Sequence, residues 1–398
     1  MTIEERYPNR PGVHRVGPVW RWSLTARRNA RDERWAAALD ADVLGECWRQ
    51  ACEAIPALSR RTETPSGQTV STPRMHVAEI GPPVRIMVQL RPGMLPSDVT
   101  DNARRLGAAL GGRAARVVGE RGGGWIVVEI LHGADPLTRP VAMADLAPVL
   151  GGISLGRDES GATVGGAVQR WPHGLISGAT GSGKSAGLRW LLVQLAGRDD
   201  VHVVGSDITG LLWRPWPPCR DRVSGSADVE AHVAMLERLV VQMNERLALM
   251  PEDADVIETH AGLPLVLCVI EEYPGLLQLA DATDKDMAKR VRSAVSRLLA
   301  EARKVGIRVW IIAQRGDAKI LGGFERSNLP LRITYSQEPE GVRMTHPGAP
   351  REAIEDHAVA PAGVALFSAP GSPMGRFRSP WCSFADYAAA VRGVSRHH

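Results

Sequence analysis

From residue 151 onward, short, predominantly apolar runs alternate with longer stretches whose apolar residues recur every three or four positions. Runs at 174–177, 201–206, 265–270, 307–313 and 331–335 predict strands, and 184–196, 228–250 and 284–305 predict the helices between them. A strand apolar at every position is buried on both faces. Strand–helix alternation of this kind predicts an α/β fold on a doubly wound parallel sheet. A strand at 363–367 and a helix over Phe384–Val391 read as the edge of the same unit. Ahead of it, Val84–Leu90, Ala114–Gly119 and Trp125–Leu131 predict strands around a helix that Ser97-Asp98 caps and that runs to about Leu110. That makes a small α+β domain with no cluster of chemical groups, fit for docking or spacing. Earlier, Trp35, Leu39, Val43, Leu44, Trp48, Cys52 and Ile55 mark a helix from about Glu33, which Pro56 ends. Residues 59–73 read as a polar linker, and residues 1 to about 30 as an extended arm. With Trp20, Trp22, Arg27 and Arg28 the arm is read equally as a contact to nucleic acid or a membrane surface and as a solvated tail. The expected division is an arm, helix and linker over 1–73, the small domain over 74–145 and the large one over 146–398.

The first stretch with chemistry in it is Gly174-Leu-Ile-Ser-Gly-Ala-Thr-Gly-Ser-Gly-Lys-Ser185. It carries G-x-x-x-x-G-K-[ST] on Gly178, Gly183, Lys184 and Ser185, between a predicted strand and a predicted helix, which is the context a phosphate loop needs. Glycines let the backbone of Gly178, Ala179, Thr180, Gly181, Ser182, Gly183 and on to Ala186 turn its N–H groups toward one phosphate cluster. The positive end of the helix adds to that field. Lys184 is placed for the β/γ-phosphates and the Ser185 hydroxyl for Mg²⁺, so the chain is expected to bind ATP with Mg²⁺.

In a doubly wound sheet, ligands gather at the C-terminal strand ends. After Leu265–Ile270 come Glu271 and Glu272. The first acid is read as the support for Mg²⁺, the second as the group that polarises the attacking water. After Ile307–Ala313 comes Gln314, an amide at the reach of the γ-phosphate and that water. Asp207 ends a neighbouring strand and is read either as a supporting partner or as a helix cap. Arg303, at the end of a long helix, reads from position alone as an arginine that favours the negative helix end.

Composition alters this picture little. A chain of 398 residues has room for two or three domains. A formal charge of +4 permits a nucleic-acid partner without requiring one. Lysine occurs only at 184, 285, 289, 304 and 319, and the five cysteines have no C-x-x-C spacing, so reduced thiols in a cytosolic protein are expected and a zinc site is not. No apolar run of membrane-spanning length or signal peptide stands in the sequence.

Taken as a set, the motifs resemble FtsK/SpoIIIE-type DNA translocases. The similar stretches are Gly152–Ser185, Gln242–Met250 (QMNERLALM), Ile270–Tyr273 (IEEY), Glu301–Ile307 (EARKVGI), Ala313-Gln-Arg315 and Ser327–Ile333, in the same order and spacing over roughly 75–395. The resemblance implies a RecA-like motor that assembles as a ring, typically a hexamer, and pumps double-stranded DNA by ATP hydrolysis. It implies Glu272 as catalytic glutamate, Gln314 as sensor and Arg303 as a finger reaching a neighbour's γ-phosphate. It also implies that loops near Arg315 and Arg326 contact DNA phosphates in the pore. Three departures stand out. No membrane helices or winged-helix reader accompany the motor, Gln337–Glu340 is acidic where a basic pore contact is expected, and the first acid is Glu271 rather than Asp. A short motor of this kind is most similar to the Tra-type transfer proteins of actinomycete plasmids and integrated elements. That implies a cytoplasmic protein reaching the membrane through an anchored partner. Two other readings remain: a type VII secretion-like ATPase that moves protein, and an ATP-binding assembly module that does not hydrolyse.

Overall fold

The computed structural model describes residues 13–16, 19–22, 30–65, 67–79, 84–112, 114–131, 135–146, 149, 151–159, 161–314 and 322–395. These divide into two compact units, before and after the Asp135–Pro136 step (Pro350–Glu352 aside).

In the first unit the expected extended arm contains a hairpin, β1 (Val13–Val16) paired with β2 (Val19–Trp22), followed by α1 (Ala30–Ala54). Arg27 and Arg28 lie outside the described residues. The expected linker at 59–73 is also a hairpin, β3 (Arg60–Thr64) with β4 (Gly67–Ser71). Next come β5 (Arg74–Glu79), β6 (Val84–Gln89), α2 (Pro96–Thr100), α3 (Ala103–Ala109), β7 (Ala114–Arg121) and β8 (Trp125–Leu131). The sheet has the order β5-β6-β8-β7. Trp48, Cys52, Ile55 and Leu58 share one core with Ile86, Val88, Leu106, Ile126 and Val128. The Trp48 indole N–H donates to the Pro73 carbonyl at 2.9 Å, which lets the ring be buried without an orphaned donor. One helix was expected over 97–110, but two form. The Asn102 side chain donates to the Asp98 carbonyl at 2.9 Å, while the Asn102 backbone N–H turns to Val99 at 3.2 Å. Asp98 acts from inside the first turn, accepting from the Leu95 N–H at 2.8 Å.

The second unit holds β9 (Ile153–Asp158), β10 (Thr163–Gly166), β11 (Gly174–Ser177), α4 (Lys184–Val193), β12 (Val201–Asp207), β13 (Arg222–Ser224) and α5 (Val229–Ala248). It continues with β14 (Leu265–Glu271), α6 (Tyr273–Thr283), α7 (Lys285–Glu301), β15 (Ile307–Ala313), α8 (Gly323–Ser327), β16 (Leu331–Tyr335) and α9 (Pro339–Thr345). α10 (Arg351–Ala358), β17 (Val364–Ala369), β18 (Ser372–Arg378) and α11 (Phe384–Ser395) complete it. The sheet order is β10-β9-β18-β17-β16-β11-β15-β14-β12-β13. The segment from β16 to β13 is parallel, and β17, β18, β9 and β10 form an antiparallel wing. The fold is therefore α/β on a mixed, mostly parallel sheet.

The apolar runs behave as their composition requires. On β14, Val266, Cys268 and Ile270 face the core beneath α5, α6 and α7, while Leu265, Leu267 and Val269 face the core that holds α4 and α11 residues. Because β15 lies between β11 and β14, the C-terminal ends of these three strands meet at one edge. Among the described residues, no helix is long and apolar enough to cross a membrane.

Candidate nucleotide site

β11 ends at Ser177 and α4 begins at Lys184, so the loop between them stands at that edge. Its shape is fixed by backbone bonds to its neighbours. Ala179 N–H donates to Ser336 O at 3.0 Å, Ser182 N–H to Ala179 O at 3.2 Å, and Gly363 N–H to Ser182 O at 2.8 Å. Gly183 has φ 95°, and a Cβ there would sit 2.5 Å from the Gly363 nitrogen, so both backbone and space demand glycine. Ala179, Thr180, Gly181 and Ser185 are exposed on the outer side. Ser182 points inward, its hydroxyl buried with no protein partner.

Lys184 reaches back across the edge, its Nζ donating to the Ala313 carbonyl at the end of β15 at 3.0 Å. Burial lowers its pKa, against the pull of the Glu272 and Glu271 carboxylates. Glu271 stands in register with Asp207 on β12. Burial, and then the Asp207 carboxylate, pushes the Glu271 pKa up to about 8. Its Oε2 is buried without a protein partner. Asp207 is itself fully buried. It ties down the following turn by accepting from the Thr209 N–H at 2.8 Å, the Thr209 hydroxyl at 2.6 Å and the Leu212 N–H at 2.6 Å. It thus caps a turn rather than a helix and stands beside the first acid as well.

Glu272 has φ 52°, the one non-glycine residue among those described with a positive φ. A left-handed glutamate costs about 1–2 kcal/mol, and such strain is retained where a side chain has to be aimed. Here it turns the chain sharply into α6, which starts at Tyr273 with Pro274 in its first turn. Gln314 follows β15 directly and is exposed. Strands lie about 4.8 Å apart, so the ends carrying Gly178, Gln314 and Glu272 fall within roughly 10 Å of one another.

Arg303 is not part of this group. It lies in the short turn Ala302–Val305 before β15, at the opposite end of that strand from Gln314. A strand of that length spans about 20 Å. There Arg303 lines a cavity of about 430 Å³ with Arg170, Trp171, Phe367 and Pro370. Buried Arg308 braces this end, donating to Trp171 O at 2.6 Å, Gln169 O at 3.0 Å and Arg303 O at 2.8 Å. Neither Arg170 nor Arg308 was singled out from the sequence; isolated arginines carry no signal of where their neighbours will be. Arg326 sits on α8, its carbonyl accepting from Arg332 at 3.2 Å and its own Nε buried without a partner. Arg315 lies outside the described residues.

The segment 337–340 begins beside the strand that leads into the loop. Gln337 is buried, its amide 3.4 Å from the Ser177 hydroxyl, and Glu338 precedes α9. Ser177 also meets Thr334 at 3.1 Å, and Thr334 meets His346 at 2.9 Å.

No cluster of three metal-ligating side chains occurs among the described residues. Glu271, with an unpartnered buried oxygen beside Asp207, fits a hard cation that takes its other ligands from phosphate and water.

Residues 142–263 match the FtsK/SpoIIIE family. The chain is similar to DNA translocase FtsK of Corynebacterium efficiens, 27% identical over 289 residues, which is 64% of this chain and 30% of that protein. It is 31% identical over 198 residues to DNA translocase SftA of Bacillus subtilis, 46% of this chain and 20% of that one. The chain thus spans less than a third of the length of either relative. Among solved structures it resembles the pCW3 conjugation coupling protein TcpA, monomer form with ATPγS. The TM-score is 0.56 at 19% identity, covering 89% of this chain and 99% of that one. ATPases 2 and 3 of EssC from Geobacillus thermodenitrificans give a TM-score of 0.50 at 14% identity, over 65% of this chain and 50% of that one. These structural likenesses are of fold alone, an α/β fold on a mixed, mostly parallel sheet.

Proposed function

We propose that this chain, which carries an FtsK/SpoIIIE-family domain over residues 142–263, is an ATP-driven translocase of double-stranded DNA that works as a homo-oligomeric ring, a hexamer on our reading. The observation that carries this is the convergence of the glycine loop, Lys184, Glu272 and Gln314 on one sheet edge, with Glu272 held in a left-handed backbone. The loop N–H groups from Gly178 to Ala186 and Lys184 hold the triphosphate of ATP. Ser185 and Glu271 would hold Mg²⁺, which neutralises charge on the phosphates. Glu272 orients and polarises the attacking water, and Gln314 contacts water and γ-phosphate together. Arg303, at the far end of β15, acts on the site of the next subunit in the ring. Arg315 and Arg326 contact DNA phosphates, without base readout and with strong salt dependence.

The resemblance to a conjugation coupling protein supports plasmid or integrated-element transfer as the process served. A cytoplasmic motor engaged by a membrane-anchored partner belongs to the same reading. In this reading residues 146–398 are the motor, 74–145 a docking domain and 1–73 its leading arm. The likeness to EssC is one of fold and leaves a protein cargo without a supporting observation of its own.

Turnover of ATP with and without duplex DNA tests the proposal. Stimulation at low salt that fades as salt rises, and that Lys184→Ala abolishes, is the expected result. Turnover indifferent to duplex at every salt concentration would overturn it.

A further inference from the structure

A loop and a lysine account for the triphosphate but leave the nucleoside without a surface to lie on. Residues 379–382 run beside the phosphate loop. Ser182 O accepts from Gly363 N–H at 2.8 Å, and Gly363 O accepts from Ser379 N–H at 2.9 Å, so Ser379 is two backbone bonds from the loop. A Cβ on Gly187, in the first turns of α4, would lie 3.2 Å from the Ser379 hydroxyl. Two residues on, Arg189 Nε donates to the Cys382 carbonyl at 2.9 Å. The segment is thus bonded at Cys382 to the helix that starts at Lys184 and packs close to it at Ser379, immediately past the residues that face the phosphates.

Within that segment Ser379, Pro380 and Cys382 are buried, and Trp381 between them is 66% exposed. Phe384, also partly exposed, follows, its ring tilted against that of the buried Tyr387 at 6.2 Å between centroids. A large indole left in water on a backbone pinned from both sides is an apolar face waiting for a planar partner. A tryptophan face stacks on any nucleobase through its π surface.

We infer that Trp381 is the platform on which the base of the bound nucleotide stacks, completing the site that the phosphate loop begins. This rests on the nucleotide-binding reading of that loop. Stacking on either purine is expected, because the contact uses the ring face and not the hydrogen-bonding edge.

The test is calorimetric titration of the full chain with ATPγS, GTPγS and inorganic tripolyphosphate. Trp381→Ala is expected to weaken both nucleotides about tenfold or more, Trp381→Phe to stay within about threefold of the native chain, and both variants to keep native tripolyphosphate affinity. Native nucleotide affinity in Trp381→Ala would overturn the platform while leaving the phosphate-loop reading intact. So would an equal loss of tripolyphosphate affinity, which would point to a disturbed loop. Loss of self-association in sedimentation with nucleotide affinity retained would assign Trp381 to a contact between copies and overturn the platform as well. A native chain that binds none of the three ligands would refute the phosphate-loop reading itself, and the platform with it.

Discussion

At the scale of single residues, the proposed function separates binding from chemistry. In that proposal Lys184 and the loop hold charge, while Glu272, in its left-handed backbone, acts on the attacking water. Glu272→Gln should therefore keep ATPγS affinity within about threefold while turnover falls about 100-fold or more, read by titration and by phosphate release. An equal loss of both would make Glu272 a binding residue. A second residue-scale expectation concerns Gly187, whose α-carbon packs against the Tyr335 hydroxyl that meets Ser379 at 2.7 Å. A methyl group at Gly187 has nowhere to go. Gly187→Ala should destabilise by about 1–3 kcal/mol through overpacking, measured by urea unfolding. Tyr335→Phe in the same chain should restore part of it.

At the scale of elements, β15 and β16 are locked to their surroundings by buried histidines that must stay neutral. The Val309 N–H donates to His173 Nδ1 at 2.9 Å, so that nitrogen carries a lone pair and no proton. Burial, with nearby arginines, holds His173 down at about 3; burial, with Arg332 and His357, does the same to His346. Burial holds His357 at about 4. Each pKa is depressed below its unfolded value near 6.5, so the unfolded chain takes up protons that the folded one refuses. The stability they contribute is present above about pH 6.5 and drains away as pH falls toward 3. Unfolding free energy measured across that window should drop with acid, and His346→Gln should make the slope shallower by about one proton. A slope unchanged in the variant would show that His346 does not titrate on unfolding.

What could be read from the sequence divides along the same line. β14 is apolar at every position from Leu265 to Ile270 and β15 at every position but Arg308, because both faces are covered, and that pattern is visible in a string of letters. The β3–β4 hairpin is exposed almost throughout, so its strands carry no apolar alternation and look like a linker. Of the antiparallel wing, β17 matches the strand expected at 363–367, but β9 and β10 escaped for a related reason: they are short, and Gly156, Gly165 and Gly166 interrupt them where other backbone comes close. The phosphate loop is legible because its chemistry needs contiguous residues. Arg308, Gln337 and Arg170 act across separations of many residues, which no local spacing encodes.

At the scale of the whole molecule, the position of Arg303 sets the argument for a ring. It lies a full strand away from the loop of its own chain, beside Arg170 and braced by Arg308, so its use in catalysis requires another copy. Lys184→Ala and Arg303→Ala should each be inactive alone. Mixed together, they should recover part of the native turnover, since an intact loop on one copy then meets an intact arginine on the next. No recovery at any mixing ratio would confine Arg303 to a role within its own chain.

Translocation itself is tested most directly by displacement of a third strand from a DNA triplex built on linear duplex. The account predicts that the native chain with ATP and Mg²⁺ strips the third strand, more slowly as the duplex track is shortened, and that Glu272→Gln strips none. ATP turnover by the native chain with the third strand left in place on every track would contradict it.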